Sequence, residues 1–358
     1  MTNRNDLLVA IASIISDYRS GEIPTPTPEH VDRWVRQFNP EVQLPLLSEM
    51  QHVLEKTYIN KQEVDGFLAN LVKNPKLAGN NFCAFWQNTE FLDIQQGGRS
   101  QHEMLAMFSN ILQQECSFPI QRGLKNPHAY IYLDDGLFSG SRIQRDIEQW
   151  IRNDAPTTAN LHIILAVQHT SGGFFTEKNL KKIIAETNKN VALNFWNCIS
   201  IENKKYNKDT SEILWPHELP EDILLENYVN TIQRFPFEPR SVLNNKSYQH
   251  CIFSSEAGRQ LLEREFLLAG VKIRSFCQNP KPIMRPLGYS SFGLGFGSTV
   301  VTFRNYPNNA PLALWWGDAT LPSTHPLSKW YPLFPRKTYS QNTIMDYIDD
   351  FDLSEFGL

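Results

Sequence analysis

The stretch from His128 to Ile151 constrains this chain more than any other. Ala129 to Leu133 is an apolar and aromatic run of the kind carried by a buried strand of a parallel sheet. Asp134 and Asp135 follow at once, where that strand is expected to emerge. Gly136 to Ser141 is a short loop rich in small residues, and Ile143, Ile147, Trp150 and Ile151 then recur at helical spacing. Strand, two acids, small-residue loop and helix N-terminus together make an anion site. Free backbone N–H groups and the positive helix end face a phosphate. The adjacent carboxylates accept hydrogen bonds from sugar hydroxyls.

The surrounding chain has the rhythm such a site needs. Phe82 to Trp86 reads as a short strand, and His102 to Gln114 as a helix with Leu105, Phe108, Ile111 and Leu112 inward. His162 to Gln168 reads as a strand, Gly172-Gly173 as a turn, Glu177 to Thr187 as a helix and Asn190 to Ile199 as a strand. Strand–helix alternation at this spacing predicts an α/β fold with a parallel sheet and right-handed crossovers. In such sheets ligands bind beyond the carboxyl ends of the strands, where Asp134 and Asp135 fall.

Asp134, Asp135, Gly136, Leu137, Phe138, Ser139, Gly140, Ser141 and Arg142 resemble the ribose-phosphate signature of type I phosphoribosyltransferases. The resemblance implies a Rossmann-like core that binds phosphoribosyl pyrophosphate (PRPP) or a nucleotide. It implies that Asp134 and Asp135 hold the ribose hydroxyls and that the loop cradles the 5′-phosphate. It also implies that Gly97, Gly98, Arg99 and Ser100, one strand earlier, face the pyrophosphate; without a ligand that segment reads as a flexible loop. Any Mg²⁺ would be held largely by the ligand itself, with no metal site of the protein's own. Three positions depart from the signature: bulky Phe138, Ser139 in place of Thr, and Arg142 where Thr is usual.

The ends of the chain read as additions. Helices are expected up to about residue 75, with Thr27 as N-cap and Pro28 at the first helical position, then Val42 to Tyr58 and Lys61 to Val72. The segmentation expected is residues 1–75 helical, 76–240 the α/β core, 241–340 an α+β extension and 341–358 an acidic tail. In the extension, Ser255 to Gly270 is a capped helix and Val271 to Phe276 a strand. Gly293 to Ser298 has the glycine spacing of a dinucleotide loop but feeds a strand, Thr299 to Phe303, so it reads as a turn. The run from Gly293 to Trp316 is similar to a C-terminal block of phosphoribosyltransferase-like proteins of bacterial anti-phage loci, some accompanying retron reverse transcriptases. That resemblance implies an antiviral role, with a reverse transcriptase–nucleic-acid complex or another defence-operon protein as partner. Arg304, Asn305, Asn308 and Asn309 would then contact a base or a partner; read locally, the asparagines make a turn.

Composition narrows the alternatives. A net charge of −4 gives no general electrostatic reason for nucleic-acid or membrane binding. No apolar run approaches bilayer length. Leu8, Ile11, Ile15 and Tyr18 make the first segment an amphipathic helix rather than a signal peptide. Five widely spaced cysteines without ligand spacing predict buried, reduced thiols and a cytoplasmic protein. Two functions stay open: phosphoribosyl transfer or nucleotide N-glycosidic cleavage, and non-catalytic nucleotide sensing. A metal-dependent hydrolase lacks further ligands at the right spacing.

Overall fold

The structure is a computed structural model and describes residues 3–96, 99–232, 237–244, 248, 251–290 and 293–336. In chain order, the first elements are helices α1 (Arg4–Ile14), α2 (Pro28–Val35) and α3 (Pro40–Thr57) and the short strand β1 (Tyr58–Ile59). Helices α4 (Lys61–Val72), α5 (Pro75–Ala78) and α6 (Phe82–Gln87) follow. The central part is β2 (Thr89–Phe91), α7 (Ser100–Cys116), β3 (Ala129–Leu137), α8 (Ser141–Asn153), β4 (Thr158–His169), α9 (Thr170–Thr187) and β5 (Asn190–Ile201). The last part holds α10 (Ile223–Thr231), α11 (Glu256–Ser275), β6 (Val301–Thr302) and α12 (Leu312–Trp315).

The chain forms two compact units, and they cut across the segmentation expected from the sequence. Residues 1–61 join residues 203–338 in one unit, and residues 62–202 form the other. The first helices are therefore part of a composite unit. Burial explains this. Val31, Trp34 and Val35 of α2 share one core with Leu262, Phe266 and Leu267 of α11 and with Leu312 to Trp316. The indole N–H groups of Trp34 and Trp330 both donate to the carbonyl of Ala313, each at 2.9 Å. β1 and β6 close the unit as a parallel pair, Tyr58 opposite Val301.

The same unit holds a buried ion network. Arg240 donates to Glu256 at 2.8 Å and to Glu263 at 2.9 Å, and Arg259 donates to Glu263 at 2.9 Å. Arg259 also reaches the Ser211 hydroxyl and the Ile213 carbonyl, both at 3.0 Å. Burial would push the Glu256 carboxyl up, but Arg240, the Tyr248 hydroxyl and the Leu243 amide hold it down at about 2. Within α11, Gly270 lies where a Cβ would strike the backbone of Pro286, so it is a packing residue. The helix therefore runs through Gly270 to Ser275, where the sequence predicts a C-cap and a strand.

Unit 62–202 contains the expected parallel sheet, a four-stranded one in the order β2-β3-β4-β5 among the described residues. The α/β fold class read from the sequence is what the structure has. Side chains alternate across the sheet. Tyr130 packs on Trp150 and Tyr132 bonds Asp146, so the even positions of β3 face α8. Phe91 is the neighbour of Ile131 on the other face, and there it meets Phe108 of α7. Helix α7 thus lies on the face opposite α8. All three crossovers step the same way across the sheet. The β2–α7–β3 connection therefore has the opposite hand to the β3–α8–β4 connection, where the sequence predicts one hand throughout. Phe82 to Gln87 is helical rather than a strand, with Asn81 accepting from the Ala84 amide and the Trp86 indole donating to Val72.

One thiol expectation is corrected. Cys83 and Cys116 are joined as a disulfide between α6 and the end of α7, their Cα atoms 5.4 Å apart. Of the rest, Cys198 is exposed and Cys251 and Cys277 are partly so. Among the described residues no helix is long and apolar enough to cross a membrane.

Candidate functional site

The exit from β2 leads to one face of the sheet and the exit from β3 to the other, so a crevice opens between them at the strand carboxyl ends. Helix α8, entered there, begins without a side-chain cap, whereas in the first turn of α7 the Gln95 side-chain oxygen accepts the Gln101 amide at 3.1 Å. The first turn of α8 also carries no acidic residue, so its N–H groups meet neither a capping side chain nor a carboxylate of that turn.

The loop before α8 has its shape imposed by two close approaches. Gly140, the N-cap, has φ +87°, a left-handed conformation that other residues rarely adopt. Gly172, in the first turn of α9, lies where any Cβ would sit on the Phe138 carbonyl oxygen. That glycine pair is part of helix α9, which starts at Thr170, and not of a turn. Ser139 and Ser141 bring their hydroxyls to 3.4 Å of each other at the rim of the loop. Phe138 does not point into open space. Its ring folds over Gly136 and packs on the His169 ring, with centroids 4.9 Å apart. Burial pushes the His169 imidazole down to about 3, against the opposing pull of the Leu137 backbone, so His169 is neutral at pH 7.

The two acids of the signature differ sharply. β3 continues to Leu137, so Asp134 and Asp135 lie inside the strand and point to opposite faces. Asp134 faces α8 and is fully buried. Its Oδ1 accepts the Asp135 amide at 2.9 Å, and its Oδ2 accepts Arg142 Nη2 at 2.9 Å. Asp135 is half-buried on the face towards α7. Arg142 also reaches the Ser100 hydroxyl at 3.4 Å, which in turn accepts from Gln95 at 2.9 Å. Burial works against the guanidinium charge, yet Asp134, with Tyr132, Asp135 and Asp146, raises its pKa above the ordinary value.

Beneath this pair sit groups that sequence reasoning missed. The Tyr132 hydroxyl donates to Asp146 at 3.2 Å, and burial with the Asp134 and Asp146 charges lifts that phenol well above its ordinary range. Burial pushes the Asp146 carboxyl up to about 6, with Arg142 and Arg145 opposing. Gln101 holds the exit of β2 by accepting the amides of Ile94 and Gln95 at 2.8 and 2.9 Å. Asp146 carried one signal, an acid on the apolar face of α8, four residues after Arg142. Gln101 carried none.

Of the other candidates, Gly97 and Gly98 lie outside the described residues, Arg99 directly precedes α7, and Ser100 is its first residue. Arg304, Asn305, Asn308 and Asn309 belong to the other unit. There Asn309 donates to the Tyr289 carbonyl at 3.0 Å, and the Asn308 carbonyl accepts the Tyr289 amide at 2.8 Å. Asn305 caps the Tyr306 amide at 2.9 Å. Among the described residues no group of three His, Cys, Asp or Glu side chains is placed to hold a metal.

A parallel sheet with an inner strand that carries two adjacent acids and runs through a Gly/Ser loop into an uncapped helix is the architecture of a phosphoribosyltransferase-like protein. The family model described as PRTase-CE matches residues 31–336, which spans both units. The chain belongs to the PRTase-CE family. Searches of curated proteins and of solved structures return no match.

Proposed function

We propose that the chain binds a 5′-phosphorylated ribose, PRPP or a nucleotide, with the phosphate on loop 136–141 and the first turn of α8. The observation that carries this reading is the α8 N-terminus: Gly140 at φ +87°, no capping side chain and no acid in the first turn. N–H groups and a positive helix end are thereby left for an anion. Asp135 is the acid that would meet a ribose hydroxyl, and Ser100 would lie towards a pyrophosphate.

If the ligand is turned over, the anomeric carbon exchanges its bond to pyrophosphate for one to an acceptor, or its bond to a base for one to water, through an oxocarbenium-like state, and the pyrophosphate or base departs. The protein's part is then to hold the ligand and balance charge. Mg²⁺ fits as a ligand-borne ion. Asp135 is the site carboxylate suited to touch it, and bound Mg²⁺ would neutralise the leaving diphosphate. A specific observation favours a second reading, non-catalytic sensing: Asp134 is buried and already bonded to Arg142. We assign the chain to the cytoplasm and to bacterial anti-phage defence of the retron type, supported by the resemblance of residues 293–316. A reverse transcriptase–nucleic-acid complex or another protein of the same operon would be its partner.

Calorimetric titration with PRPP and Mg²⁺ tests the ligand reading, with Ser139→Asp as control. Saturable binding is expected in the wild type and its loss in the variant, whose carboxylate would repel the phosphate. Equal binding by both would remove the loop from the site. Pyrophosphate released from bound PRPP when nucleobases are supplied as acceptors, or free base released from a bound nucleotide by water, marks an enzyme; binding with neither release marks a sensor.

A further inference from the structure

Asp134 is not available to a sugar. Both of its oxygens accept hydrogen bonds from the chain itself, and the residue has no exposed surface. What faces the crevice in its place is Arg142, whose side chain is 31% exposed while its Nη2 stays pinned on the buried carboxylate. Its second contact, the Ser100 hydroxyl at 3.4 Å, holds it towards α7. The guanidinium is therefore a fixed cation one residue beyond the first residue of α8, beside the phosphate loop.

This exchange inverts what the crevice can recognise. A carboxylate accepts hydrogen bonds from a ribose diol, whereas a guanidinium only donates. Its planar fork matches a phosphate, and its charge is permanent. Dinucleotide sites show the same choice: an acid reads a free 2′-hydroxyl, and an arginine accommodates a 2′-phosphate.

We propose that Arg142, anchored by Asp134, makes this site selective for a ribose 5′-phosphate that carries a second phosphate on its 2′ or 3′ oxygen. Asp134 is then a positioning residue and Arg142 the specificity-determining one. The ligand class is a nucleoside 2′,5′- or 3′,5′-bisphosphate. The inference rests on the proposed 5′-phosphate site at loop 136–141 and deepens it.

The test is calorimetric, on the full chain, with ribose 5-phosphate, adenosine 5′-monophosphate, adenosine 5′-diphosphate and the two adenosine bisphosphates. At least one bisphosphate is expected to bind about tenfold or more tighter than the monophosphate, the scale of a charge-assisted hydrogen bond. It should also beat the diphosphate, which carries similar charge but places it elsewhere. Removing Arg142 alone would strand a buried carboxylate, so the informative variant is Asp134→Asn/Arg142→Gln, checked for a cooperative thermal transition. In it the ratio of bisphosphate to monophosphate affinity should fall to near one. Arg142→Lys, which keeps the charge without the fork, should fall between. Equal wild-type affinities, or a ratio that survives in the double variant, overturn the inference and leave the 5′-phosphate site standing. Failure of ribose 5-phosphate and the monophosphate to bind at all overturns that site and the inference with it.

Discussion

The arginine–carboxylate cluster around Arg240 in one unit and the pair Arg142–Asp134 in the other differ in what they leave unspent. Around Arg240, Arg259, Glu256 and Glu263 every charge is buried and meets an opposite charge. Nothing is left over for a ligand, and the cluster ties the segment before α11 to that helix. Arg142 and Asp134 are also bonded, but only the carboxylate is fully sealed; the arginine side chain as a whole stays 31% exposed beside an uncapped helix start. The lesson is that a buried ion pair by itself says little about function. A pair with one partner sealed and the other open to a crevice holds a charge in place for something else.

The sharpest way to break the comparison is to remove one arginine from the sealed cluster. Arg240→Met would leave Glu256 and Glu263 short of a partner in a dry interior, a loss of about 3–5 kcal/mol by denaturant titration. Ligand affinity in the other unit should persist wherever the chain remains folded. A loss below about 1 kcal/mol would mean that water reaches the cluster.

The disulfide gives the next effect. Cys83→Ser/Cys116→Ser releases the cross-link that encloses β2 and the whole of α7. A fall of about 2–4 kcal/mol is expected in thermal or chemical unfolding, reproduced by adding reductant to the wild type. No change on reduction would show that the bond is absent in solution.

Gly172→Ala probes the open cluster's loop. The new methyl group would meet the Phe138 carbonyl, so the loop must shift, at a cost of about 1–3 kcal/mol. Affinity for ribose 5-phosphate should drop by more than this stability loss alone would cause. An unchanged affinity would show that the loop does not form the site.

The smallest effect is a pH dependence. The folded Asp146 carboxyl is raised to about 6, above its ordinary value. The folded state therefore binds the proton more tightly than the unfolded chain does. Asp146 favours folding below about pH 4, and that contribution is lost as pH rises through 6. Asp146→Asn should thus gain stability relative to the wild type at pH 7, and the gain should vanish towards pH 4. The buried imidazoles of His162 and His169, pushed down to about 4 and 3 by burial, work the other way as pH falls below 6.5. The comparison must therefore be made as a difference between the two proteins at each pH.

Much of the α/β unit was legible in the sequence because its signals are local. The Thr27-Pro28 start was confirmed, with Thr27 accepting the His30 amide, and Lys61–Val72 is a helix with the bounds expected. Strand–helix alternation gave the parallel sheet. The failures came where tertiary contacts outvoted local preference. Phe82 to Trp86 has the aromatic content of a strand, but the Asn81 cap and the Trp86–Val72 bond make it a helix. Val271 and Ile273 are β-branched, yet both are buried on the last turns of α11, and the close approach to Pro286 requires Gly270. The nine-residue signature was visible, but the division of labour between its acids was not. That division depends on β3 continuing through Asp134 and on Arg142 turning back onto it. Neither fact has a signature in spacing.

The central claim is that a ribose 5′-phosphate sits on the first turn of α8. Its most direct test is an amide NMR titration of the labelled full chain with ribose 5-phosphate. The largest shifts are expected at Gly140, Ser141, Arg142 and Ile143, with the Arg142 guanidinium protons moving only when a 2′- or 3′-phosphorylated nucleotide replaces it. Shifts centred anywhere else, or none at saturating ligand, would contradict the account.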